Sequence, residues 1–65
     1  MSYEERVKAV HPTAHEHWKA AEMPQCEIID GKGRQLGSVP IDADKTYPQI
    51  IQEAWADAAR KLKLD

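Results

Sequence analysis

Phenylalanine is absent and cysteine occurs once, at Cys26. One thiol cannot close an internal disulfide, and no second cysteine exists for a Cys-x-x-Cys metal or redox motif, so the disulfide-stapled secreted scaffold is excluded. No apolar run approaches the ~20 residues that a membrane-crossing helix needs. The opening Met-Ser-Tyr-Glu-Glu-Arg lacks the basic-then-apolar layout of a signal peptide, so a cytoplasmic protein is expected, with no membrane partner. Positive charge is not in excess either. Nine Lys and Arg stand against eleven Asp and Glu, a formal net charge of −2 with the signs interspersed. That balance offers no broad basic footprint for a phosphate backbone.

What is present suits a small folded domain. Hydrophobic residues make up 42% and charged residues 31% of 65 positions, a mixture that favours a packed core over a disordered tail. A chain this short buries only about 60% of the surface it exposes when unfolded. One domain over residues 1–65 is therefore expected, with every apolar face converging on a single core and no space left for a pocket of the usual ~300 Å³ or more.

Local signals divide the chain into five elements. Ser2 and Glu5 have capping-box spacing, and Tyr3, Val7 and Val10 recur at intervals of four and three, which predicts a helix from Tyr3 to Val10. His11 precedes Pro12 and ends it. Thr13 and Glu16 form a second capping pattern, and Ala20, Ala21 and Glu22 favour helix. A hairpin alone is marginal, however, so Ala14 to Ala20 is read as a third strand, with Ala14 and Trp18 inward and His15, His17 and Lys19 outward. Residues 25–39 read as a hairpin. A three-residue loop of Gly31, Lys32 and Gly33, with Gly33 in the left-handed position, sets Ile28 opposite Leu36, Cys26 opposite Ser38 and Asp30 opposite Arg34. Thr46 and Gln49 open the strongest element, whose residues Tyr47, Ile50, Ile51, Ala54, Trp55, Ala58 and Leu62 share one arc of a helix. Glu53, Ala56, Asp57, Arg60 and Lys63 fall outside that arc. The expected fold is α+β in two layers: a three-stranded antiparallel sheet with N- and C-terminal helices on one face, in the order α-β-β-β-α.

Chemistry-bearing residues are few. His11, His15 and His17 lie within seven residues, yet a structural zinc site usually wants a fourth ligand. A polar strand face is the reading adopted, with no metal and no cofactor. Cys26 points inward in the expected register and reads as an inert small hydrophobe. The acidic groups have turn and helix-start positions, so no paired catalytic carboxylates emerge and no enzyme is expected. Lys19, Lys32, Arg34 and Lys45 are candidate phosphate contacts, whereas Ile29 and Val39 are candidate apolar contacts on the sheet's outward side. Trp18 becomes a candidate binding hot spot if it faces outward.

Two resemblances follow from these residues. The element order, with Ala54 to Leu62 reading Ala-Trp-Ala-Asp-Ala-Ala-Arg-Lys-Leu, resembles the double-stranded-RNA-binding domain. That family's Lys-Lys-x-Ala-Lys cluster is replaced here by Lys45-Thr-Tyr-Pro-Gln49, and its Gly-Pro-x-His loop is absent from residues 21–24. The second is to small uncharacterised proteins of bacteriophages and prophages, carried by Gly33-Arg-Gln-Leu-Gly37 and by Glu53 to Arg60 over about the C-terminal half. It implies a phage or bacterial cytoplasmic setting, and the group has no established activity to transfer. The function expected is therefore that of a non-enzymatic phage accessory protein that binds another protein through the open sheet face or a sheet edge, as monomer or homodimer. Nucleic-acid binding is the alternative.

Overall fold

The Ser2 hydroxyl accepts the Glu5 amide hydrogen bond at 3.2 Å and so caps the first helix, α1 (Tyr3–Val10). In the computed structural model, which describes residues 2–64, three strands follow: β1 (His15–Lys19), β2 (Gln25–Ile29) and β3 (Gln35–Pro40). A second helix, α2 (Tyr47–Lys61), completes the order. The strands form one antiparallel sheet in the order β1-β2-β3. Helix α2 packs on β2 and β3, and α1 packs on α2, so one face of the sheet is covered. The α-β-β-β-α expectation is met.

Residues 15–19 extend because Thr13 is engaged elsewhere. Its hydroxyl accepts the Gly31 amide hydrogen bond at 2.9 Å, latching the start of β1 to the hairpin tip, and Ala14 beside it is buried. A Thr13 cap for a helix would forfeit both contacts.

The hairpin tip has the expected geometry. Gly33 takes a φ of +81°, and the Asp30 carboxylate accepts the amides of Lys32 and Arg34, each at 2.9 Å. Farther along, the register departs from expectation. Ile29 pairs with Gln35, but Ile28 pairs with Gly37 and Cys26 with Val39, so Leu36 is the extra residue of a bulge. Close packing on the helix is the reason. A Cβ placed on Gly37 would lie 2.5 Å from the Ala58 nitrogen, so only glycine lets α2 settle at this point. The shift corrects the reading of Val39, which lies on the helix side against the core instead of facing outward.

Thr46 and Gln49 form the full reciprocal capping box at the start of α2. Ile50, Ala54, Trp55 and Ala58 are buried as their spacing predicts, but so are Ala59 and Asp57. The covered arc is wider than one stripe because α2 is flanked by the sheet and by α1. Tyr47, assigned to that stripe by periodicity, is 69% exposed in the first turn. At the other end Lys63 adopts φ +60°, with the Lys63 and Leu64 amides donating to the Arg60 and Ala59 carbonyls. This is a Schellman stop built without glycine. Val7, Cys26, Ile28, Ile50 and Trp55 are the largest side chains sealed from solvent.

Candidate functional site

Antiparallel pairing sends alternate residues of each strand to opposite faces. Cys26 and Ile28 turn toward the helices, so Glu27 in the central strand must face the uncovered side, where His17 of β1 and Ser38 of β3 flank it. There the His17 Nδ1 donates to Glu27 Oε1 at 2.9 Å and the Gln35 Nε2 donates to Glu27 Oε2 at 2.8 Å. One polar ladder thus spans all three strands. It leaves Glu27 only 9% exposed although neither helix covers this face. The Gln35 hydrogen bond, opposed by burial and joined by His17 and Lys19, holds the Glu27 carboxyl below its ordinary range. The composition of the face follows from the same alternation: His15, His17 and Lys19 on β1, Gln25, Glu27 and Ile29 on β2, with Ile29 half-buried.

Beside this face lies an aromatic rim. Trp18 pairs with Cys26, on the helix side as expected, but β1 is the outer strand and the indole stays 41% exposed. It meets Tyr47 edge to face, with ring centroids 5.4 Å apart.

The two edges of the sheet are finished differently. Along β3 the Ser38 amide donates to the buried Asp57 Oδ2 at 2.9 Å, Pro40 has no amide to offer, and the Leu36 bulge bends the strand. Asp57 also pairs with Lys61 at 2.9 Å and with Arg60. Burial would raise its carboxyl, but the Ser38 amide and the Lys61 and Arg60 side chains prevail and hold it below the ordinary range. Among the described residues, strand β1 has β2 on one side and no strand on the other.

The four candidate cations do not gather. Lys32 and Arg34 sit at the hairpin tip, at the end of the sheet where His15 pairs with Ile29, while Lys19 pairs with Gln25 at the opposite end. Four ladder steps at about 3.3 Å each separate the two ends. Lys45 follows β3 and is held by Glu53 at 2.7 Å. Cys26 is fully buried, and burial pushes its thiol above the usual range. Among the described residues no group of three or more His, Cys, Asp or Glu is placed to hold a metal ion, and none of the helices is long and apolar enough to cross a membrane.

A groove corrects the expectation that so small a chain leaves no hollow. An open trough of about 820 Å³ runs between α1 and α2, lined by Tyr3, Arg6, Gln49, Gln52, Glu53 and Trp55 among others. Its Glu53 is taken by Lys45, and Glu4 at its border by Lys8 at 2.7 Å. Trp55 Nε1 is buried without a hydrogen-bond partner among the described residues.

Two residues that matter here escaped the reading of the sequence. Asp57 falls outside the predicted helix arc, and Glu27 is not among the candidate residues. The signal for Glu27 was available: an acid between the inward Cys26 and Ile28 must stand on the outer face of its strand. Comparison with known proteins finds no matching family model, no similar curated protein and no similar solved structure.

Proposed function

We propose that this chain is a protein-binding module without a reaction of its own, acting through the uncovered sheet face and the β1 edge that borders it. The observation that carries this reading is the asymmetry of the sheet. Both helices cover one face, and a bulge, Pro40 and the Asp57 carboxylate guard one edge, which leaves a contiguous face and edge in which His17, Glu27 and Gln35 are already fixed in place. Ordered polar groups beside a half-exposed indole suit protein recognition, where tryptophan and tyrosine anchors contribute most of the affinity. The resemblance to small phage and prophage proteins supports a partner in the cytoplasm of a bacterial cell. The rival reading needs one continuous basic track, and the separation of Lys32 and Arg34 from Lys19 removes support for it.

Photo-crosslinking tests the proposal. A photoreactive residue at Lys19 or Ile29 is expected to capture the same bacterial protein, and one at Gln49 or Gln52 in the inter-helix groove is not. Capture from the groove alone, or duplex RNA or DNA binding that weakens steeply with salt, overturns it.

A further inference from the structure

Resting on that reading, we infer that β1 accepts an added strand from a partner protein, an extended segment with acidic residues on its outward side and an apolar residue beside Trp18. An edge strand presents unpaired backbone groups to any chain that can lie alongside it. What it accepts is set by its side chains. The outward positions of β1 are His15, His17 and Lys19, and the helix-side positions are Glu16 and Trp18.

The same layout disfavours the self-pairing that would continue both layers of this sandwich into a second copy of the chain. In every antiparallel self-pairing that keeps both pairs of helices on one side, the outward positions oppose one another only as His against His, His against Lys or Lys against Lys. Like-charged pairs directly opposite are unfavourable and two neutral rings would meet lone pair to lone pair, whereas an acidic strand pairs with Lys19 and, once the rings are protonated, with His15 and His17. On the helix side Trp18 and Tyr47 offer an apolar contact for one residue of the incoming strand.

The imidazoles add a specific signature. His15 Nδ1 donates to the Thr13 carbonyl and His17 Nδ1 donates to Glu27, each at 2.9 Å, so in the neutral rings Nε2 carries the lone pair. A carboxylate arriving there is bonded only by a protonated ring, and binding takes up protons. The groups facing these rings are Thr13, Glu27, Ile29 and Lys19, with both helices on the other side of the sheet.

The test uses the whole chain and a blocked seven-residue peptide with glutamate at alternate positions and valine between, compared with its lysine twin. The glutamate peptide is expected to shift the amides of β1 and the Trp18 indole in an NMR titration. Its binding should be accompanied by proton uptake, visible in calorimetry as a dependence on buffer. N-methylation of alternate peptide amides should abolish binding, because strand addition depends on main-chain hydrogen bonds. The double variant H15E/K19E, altered at exposed positions and keeping the His17–Glu27–Gln35 hydrogen-bond partners, should lose about tenfold for the glutamate peptide and gain binding of the lysine twin. Equal binding of the twins, indifference to N-methylation, tighter binding at higher pH, or no binding to the natively folded chain each overturns the inference. If Lys19 and Ile29 still crosslink to a partner in any of those cases, the broader protein-binding reading survives.

Discussion

The two faces of the sheet use opposite chemistry to fix the same three strands. On the helix side, order comes from contact. Gly37 lies so close to Ala58 that no side chain fits between them, and Trp55, Ile28 and Ile50 fill the remaining volume. On the open side it comes from hydrogen bonds, with Glu27 holding His17 and Gln35 from the middle strand. Stability should therefore reside on one face, while the other is free to change with little effect on the fold.

The largest effect that tests this contrast is Trp55→Ala, which should cost about 3–5 kcal/mol, close to the whole stability of a domain this size, and be read by urea denaturation. Trp55→Phe should cost far less than the alanine change because it keeps most of the aromatic volume and removes an indole N–H that has no partner among the described residues. Next comes Gly37→Ala. Its new methyl would sit against the α2 backbone, and a loss of about 1–3 kcal/mol is expected in the same measurement.

Asp57 joins the two regimes, since it is buried yet works by charge. Asp57→Ala should cost about 1–3 kcal/mol, leaving the Ser38 amide without its acceptor. Its lowered carboxyl also dictates a sign. A folded-state value below the unfolded one gives stability that is complete above the ordinary carboxylate range and lost as pH falls through it, and Glu27 acts in the same direction. Thermal melts of D57A and E27Q should each show a shallower acid limb than the natural chain. Smallest of all at neutral pH is Glu27→Gln, which keeps one side-chain oxygen for the ladder and should cost about 0.5–1 kcal/mol. A loss as large as that of Gly37→Ala would dissolve the contrast between the faces.

Most of the fold was legible because its elements carry local signals. The Ser2 and Thr46 caps, the Asp30 to Gly33 turn and the four-and-three spacing in both helices depend only on neighbours in sequence. The departures come from contacts between distant residues. Leu36 is displaced into a bulge by the approach of α2 to Gly37, which turns Val39 inward. Asp57 is buried because α2 runs against β3, a relation that no helical wheel contains. Of the candidate surface, the His15, His17 and Lys19 row was readable from alternation. The Glu27 ladder was not assembled, because it needs the β1 and β3 registers at once.

Cys26 gives the molecule a built-in clock. It is the chain's single thiol, it lies in the middle strand, and it is sealed from solvent. A thiol reagent can reach it only when the layers part, so the rate of its modification reports how often the domain opens, with no added probe. A guest seated along β1 would slow that rate in proportion to its occupancy, and a guest elsewhere that leaves the opening equilibrium untouched would not.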